Sequence, residues 1–195
     1  MSTLSLRLVA PPDFDVDMSS VTPDALKGRR ASELRRLRLR HGQRGIALGD
    51  LFEIDGAPDS EVIEIAGSCA RLQHLGAGMT GGELRITGDC GTWLGREMRG
   101  GRIALRGNAG DGVGAGMRGG LIDFTGSVGD FAGAATPGAV SGMKGGTILI
   151  GRHAGRRLGD RMRRGLIVVG GNADAGCGSQ MIAGSIVVLG ATGPG

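Results

Sequence analysis

The chain has 195 residues, enough for one domain with a buried core, and its 41 glycines and 6 prolines would read as disorder if no period organised them. The formal charge of +4 rests almost wholly on arginine, because Lys27 and Lys144 are the only lysines, and arginine favours fixed carboxylate or phosphate partners. Cys69, Cys90 and Cys177 form no CxxC pair, and no apolar run approaches the roughly 18 residues of a membrane span, which speaks against a zinc ribbon, a disulfide framework and a membrane protein.

The start, MSTLSLRLVAPPDF, lacks the charged and apolar regions of a secretion signal, so a cytoplasmic location with reduced thiols is expected. Residues 1–57 do not repeat and read as a small mixed α/β cap or docking segment. TLSLRLV alternates like a strand. TPDALKG places Thr22 and Pro23 at a helix start, and ASELRRLRLR reads as a second helix with Ser32 near its cap or, after Leu37, as a strand. Such a segment would cover the open edge of whatever follows it.

From residue 58 to 195 the chain repeats. VIEIAGSCARLQHLGAG is a partial first unit, and full units start at Met79, Met98, Met117, Met143, Met162 and Met181, spaced 19, 19, 26, 19 and 19 residues. Periods near 20 mean stacked, one-dimensional architectures. Five and seven places after each methionine stands an apolar residue: Leu84 and Ile86, Ile103 and Leu105, Ile122 and Phe124, Ile148 and Ile150, Ile167 and Val169, Ile186 and Val188. That is the two-residue period of a strand with one buried face. Eleven places on, Cys90, Ala109, Val128, Ala154 and Ala173 imply a second inward ladder, with glycines at the corners between. Units this short have no room for a crossover helix. The expected fold is therefore all-β, a right-handed parallel β-helix (solenoid) with about 19-residue coils, capped by the mixed α/β segment.

The outward strand positions change character along the chain. Early units carry Glu83, Arg85, Arg102 and Asp123, whereas later ones carry Leu149, Leu166, Val168, Val187 and Leu189. A strand apolar on both faces is normally covered on both, so those five residues are interface candidates, unless the N-terminal segment covers them. Phe131 and Pro137 join them, because the unit between Phe131 and Met143 is seven residues longer and must bulge as a loop. Arginines concentrate at Arg35, Arg36, Arg38 and Arg40 and at Arg156, Arg157, Arg161, Arg163 and Arg164. Nucleic acid is not expected as their partner, since no aromatic residues that stack bases are interleaved with them.

Chemistry is hard to find. GDGVGAG, residues 110–116, is followed by another repeat rather than by the helix a dinucleotide site needs. His41, His74 and His153 are joined by no metal-ligand spacing, and no nucleophile and base constellation is recognisable. Cys69 and Cys90 share one ladder in neighbouring units and read as small buried thiols. The chain is expected to hold no metal or cofactor and to do no chemistry by itself.

The repeat, M-x-G-G-x-I-x-I-x-G-x-x-G-x-x-x-G, resembles the glycine-repeat domain shared by the C-terminal part of the glutamate synthase large subunit and by the C subunit of formylmethanofuran dehydrogenase. The short chain and GIALGDLFEIDG, residues 45–56, resemble the second. That resemblance implies a noncatalytic scaffold of a hetero-oligomeric one-carbon complex. The implied complex transfers a formyl group from formyl-tetrahydromethanopterin to a methanofuran-type carrier and hydrolyses it to formate on a zinc amidohydrolase-like subunit. Formyltransferase and dehydrogenase-like subunits are the other implied partners. Arginine in place of lysine looks like a high-GC bacterial genome and favours this hydrolase complex over a tungsten or molybdenum formylmethanofuran dehydrogenase. A glutamate-synthase-like domain acting in trans and a stand-alone polyanion binder are the rivals. The carrier's anionic tail makes Arg156, Arg157, Arg163 and Arg164 candidate contacts. The end at GATGPG, without an evident cap, suggests a partner over that end or a shortened family member.

Overall fold

The computed structural model describes residues 3–195. Each methionine-aligned repeat contributes one strand to a single sheet: β8 (Glu83–Thr87), β9 (Arg102–Arg106), β10 (Leu121–Phe124), β11 (Lys144–Ile150), β12 (Arg164–Val169) and β13 (Ser185–Val188). Neighbours pair in parallel, so that Leu84, Ile103, Ile122, Ile148, Ile167 and Ile186 stand side by side. The first five of these are fully buried, each such side chain contributing roughly 1.5–3 kcal/mol. The partial first unit forms β6 (Val62–Ala66), which pairs in parallel with β8.

The N-terminal segment joins the same sheet. β1 (Thr3–Leu8) adds to β6 in parallel, and β5 (Phe52–Asp55) adds to β1 antiparallel, giving the order β13-β12-β11-β10-β9-β8-β6-β1-β5. A second sheet has the order β4-β3-β2-β7, from β2 (Val16–Asp17), β3 (Arg38–His41), β4 (Arg44–Ala47) and β7 (Leu72–Gln73). Among the described residues three short helices complete the fold: α1 (Pro23–Leu26), α2 (Ala31–Arg35) and α3 (Leu48–Leu51). Thr22 caps α1, its hydroxyl oxygen accepting from the Ala25 N–H at 3.3 Å, as the sequence suggests. The cap of α2 is Arg30 rather than Ser32, with the Glu33 carboxylate accepting from the Arg30 N–H at 2.9 Å. ASELRRLRLR holds both of its alternatives, a helix to Arg35 and then strand β3.

This corrects the expected all-β, right-handed parallel β-helix. The protein is a mixed α/β fold with a nine-stranded mixed sheet, a four-stranded sheet and a few short helices. The reason lies in the second inward ladder. Cys69, Cys90, Ala109, Val128, Ala154, Ala173 and Thr192 do pair in sequence, but as isolated single-residue parallel bridges. Turn geometry on either side limits pairing to one residue per repeat, so this ladder never becomes a strand. The antiparallel β5 and the helices then give the N-terminal quarter a character of its own.

Two devices lock the repeats together. Each buried methionine extends its methyl group into the space left by a glycine of the following repeat: a Cβ on Gly120 would lie 2.7 Å from the Met98 Cε and 2.8 Å from the Gly101 carbonyl oxygen. Gly120 also has φ +88°, which a side chain disfavours. Ten places after each methionine runs a chain of side-chain caps. Asp89 Oδ1 accepts from the Asn108 N–H (2.7 Å), Asn108 Oδ1 from Ser127 (2.9 Å), Ser127 Oγ from His153 (3.3 Å), His153 Nδ1 from Asn172 (3.0 Å) and Asn172 Oδ1 from Ala191 (2.9 Å).

Gly120→Ala is expected to lower the unfolding free energy by roughly 2–4 kcal/mol, combining left-handed backbone strain with overpacking. Gly81, where an added Cβ meets nothing within 4 Å, tolerates alanine with a change within about 1 kcal/mol. Urea denaturation of the two variants checks the contrast.

Candidate docking surface

Opposite the buried ladder, the outer side of the nine-stranded sheet presents a second set of rows. Its central row runs Ser5, Glu64, Arg85, Ala104, Asp123, Leu149, Val168 and Val187. The half toward β1 is ionic. Arg85 pairs with Glu83 at 3.0 Å and with Glu64 at 3.2 Å, and Arg102 with Asp123 at 2.6 Å. Hydrogen bonds donated to the Glu83 and Glu64 carboxylates hold the Arg85 guanidinium above its ordinary pKa. These side chains are solvated, so the network contributes little stability.

The half toward β13 is apolar. Leu149 is 37% exposed, Val187 43% and Leu189 72%, while Leu166 and Val168 are half-buried. The five interface candidates of the sequence therefore lie together on one face. The N-terminal segment does not cover them, because β1 and β5 stand at the other end of the sheet. Phe131 (39% exposed) and Pro137 lie elsewhere, on the corner and in the long insertion, beside Val140 at 80%. The insertion folds back on the fifth repeat: the Gly142 N–H donates to the Arg161 carbonyl at 2.8 Å, and the Arg161 guanidinium to the Ala139 carbonyl at 3.4 Å.

Arg156, Arg157, Arg163 and Arg164 do not form one cluster. Arg156 and Arg157 belong to the corner of their repeat, where Arg156 faces Asp174 at 3.8 Å and Arg157 has φ +54°. Arg163 and Arg164 lie at the start of β12. Among the described residues no group of three or more His, Cys, Asp or Glu could hold a metal ion. No helix among them is long and apolar enough to cross a membrane. The glycines of GDGVGAG are turn residues between β9 and β10.

The three cysteines are free. Burial pushes the Cys69 thiol up to about 11 and, with Cys69 and Asp89 nearby, the Cys90 thiol up to about 12. Reactivity follows the thiolate. A thiol reagent at about pH 8 is expected to modify the half-buried Cys177 first and to reach the other two only in denaturant.

A groove of about 330 Å³ that no sequence motif marks lies between β2, β3 and the first repeat corner, lined by Asp17, Ser19, Arg40, His74, Arg96 and Glu97. His74 stacks on Trp93 with centroids 6.4 Å apart, and the Arg96 guanidinium lies 5.6 Å from the Trp93 ring centroid. Burial lowers the His74 pKa below its ordinary 6.5, Asp17 opposes this, and Arg96 and Arg40 add to it. Burial raises the Asp17 pKa, but bonds from Ser19 and Arg40 outweigh it and leave the carboxyl below 3.8. The unfolded chain thus binds the His74 proton more readily than the folded one. The His74 contribution is complete above pH 6.5 and is lost as pH falls through the lowered folded value. Replacing His74 by Gln is expected to flatten the stability decline between about pH 7.5 and about pH 5.5, measured by urea denaturation.

No protein-family model matches the chain. Its structure is similar to a chain of the crystal structure of the formyltransferase/hydrolase complex (FhcABCD) from Methylorubrum extorquens in complex with methylofuran. The TM-score is 0.86 at 35% identity, covering 96% of this chain and 77% of that one. The chain belongs to the formylmethanofuran dehydrogenase C-subunit family. Its curated relatives include the C subunit of the formyltransferase/hydrolase complex Fhc of M. extorquens, 46% identical over 93 residues, covering 47% of this chain and 33% of that protein. Another is the C subunit of the tungsten-containing formylmethanofuran dehydrogenase 2 of Methanothermobacter thermautotrophicus, 32% identical over 99 residues, covering 49% and 37%. The chain thus matches little more than a third of the length of these family members.

Proposed function

We propose that this chain is a structural subunit, without catalytic groups of its own, of a one-carbon complex. That complex would transfer a formyl group from formyl-tetrahydromethanopterin to a methanofuran-type carrier and hydrolyse it to formate. The observation that carries the reading is the fit of nearly the whole chain to a chain of the formyltransferase/hydrolase complex solved with methylofuran. Amidohydrolase-like, formyltransferase and dehydrogenase-like subunits are the proposed partners.

The outer face supplies a means of holding them. Leu149, Leu166, Val168, Val187 and Leu189 form a contiguous apolar patch beside an ionic network, the arrangement of an interface with an apolar centre and a polar rim. Zinc in such a complex belongs to a partner, because the histidines here do not fit it. His41 Nε2 accepts from the Phe14 N–H, His74 stacks on Trp93, and His153 Nδ1 accepts from the Asn172 N–H. The alternative is the C subunit of a tungsten or molybdenum formylmethanofuran dehydrogenase, favoured by the 32% identity to the methanogen protein.

Affinity purification of the tagged chain from its native host, followed by mass spectrometry, tests this. Recovery of amidohydrolase-like and formyltransferase subunits is expected, and a tungsten or molybdenum dehydrogenase set would select the alternative. The double variant Leu166→Asp, Val187→Asp is expected to lose those partners about tenfold or more while its Tm shifts by no more than about 4 °C. Recovery of the wild-type chain alone, soluble and monomeric, would overturn the proposal.

A further inference from the structure

One place after each repeat methionine stands Thr80, Arg99, Arg118, Lys144, Arg163 or Ile182. The backbone holds this position in register: the N–H of Arg99 donates to the Met79 carbonyl, that of Arg118 to Met98, that of Lys144 to Met117 and that of Arg163 to Met143, each at 2.7–2.8 Å. Four consecutive repeats therefore carry a cation at this position, on backbones about 4.8 Å apart, in a ridge roughly 14 Å long; at the last step the strand register sets Lys144 beside Arg164, the neighbour of Arg163.

The stacking is rigid. Residues 100, 119 and 145, which follow three of the cations, are glycines, and a Cβ on any of them would collide with the carbonyl oxygen of Thr80, Arg99 or Arg118 below it. The close backbone approach keeps the ridge positions one above another from repeat to repeat. All four are exposed, and among the described residues none pairs with a carboxylate, whereas Arg85, Arg102 and Arg156 all do. Arg164, next to Arg163 and in register with Lys144, adds a fifth charge. Like charges brought this close along one face repel one another, and salt screens the repulsion. At the ends the pattern stops: Thr80 bonds to Asp24 at 3.0 Å, and Ile182 is apolar.

We propose that the stacked cations Arg99, Arg118, Lys144 and Arg163, joined by Arg164, form a docking rail for an extended acidic segment of a partner polypeptide. Guanidinium groups grip carboxylates through paired hydrogen bonds, and a linear row of cations matches a strand-like acidic segment laid along it. Single-stranded nucleic acid fits less well, because it needs aromatic stacking platforms. Phe52 and Phe124 are buried, the exposed Phe14 packs on His41 in the N-terminal segment, and Trp93 and Phe131 belong to a different corner of the repeat. The rail does not depend on which complex the chain joins.

The test uses the full chain and fluorescently labelled deca-glutamate, read by anisotropy at low and near-physiological salt. Binding that weakens with salt is expected, and the variant Arg99→Ser, Arg118→Ser, Lys144→Ser, Arg163→Ser should lower affinity about tenfold or more. A second variant, Lys27→Ser, Arg30→Ser, Arg36→Ser, Arg44→Ser, removes the same charge from exposed sites off the ridge and should change affinity by no more than about twofold. Circular dichroism verifies that both variants fold. Equal losses in the two variants would mean net charge alone and overturn the rail, as would no binding of deca-glutamate. Tighter binding of labelled deca-uridylate, lost in the ridge variant, would reassign the ridge to nucleic acid.

Discussion

The fit of a methionine methyl into the place of a missing glycine side chain sets the geometry on which the rest of this molecule depends. Met79, Met98, Met117, Met143 and Met162 are all fully buried, and each reaches the glycine that stands three places after the next repeat methionine. A side chain there would push neighbouring repeats apart. Because the contact recurs, the repeats stack without drift, and every position three, five or eleven places along the repeat becomes a column of like residues. Buried columns form the core, and exposed columns become surfaces of one chemical kind.

That second consequence is the functional one. A chain whose surface is organised in columns offers long, flat, chemically uniform strips along its sheet. The apolar strip of β11–β13 and the ionic strip nearer β1 are two such surfaces on one sheet. Such strips suit the proposed role of holding other proteins in place. The similarity of nearly the whole chain to a chain of the formyltransferase/hydrolase complex agrees with that physical character.

Much of this was legible in the sequence because it is periodic. The inward ladder from Leu84 to Ile186, the small-residue ladder from Cys69 to Ala173 and the apolar outer row all stand where the methionine alignment puts them. The fold class was not legible, because periodicity tells which residues face inward but not whether a ladder pairs over one residue or five. The glycine-flanked ladder pairs over one, and the resulting architecture is mixed α/β. The four-stranded sheet was also out of reach, since β2 and β7 are two residues long and carry no alternation of their own.

Two surface features were missed for a related reason. The arginines of 156–164 drew attention because they are adjacent in sequence, yet the structure divides them between a corner and the start of β12. Arg99, Arg118 and Lys144 are single cations 19 or 26 residues apart, and only reading the aligned repeats down a column unites them with Arg163. The His74 and Trp93 pair has the same origin, one corner position in successive repeats. The most direct test of the holding role is a cryo-electron microscopy structure of the assembly purified from the native host. The expected result is that another subunit covers Leu149, Leu166, Val168, Val187 and Leu189 and that no side chain of this chain touches the reacting formyl group. An outer face open to solvent, or a residue of this chain at the reacting centre, would contradict it.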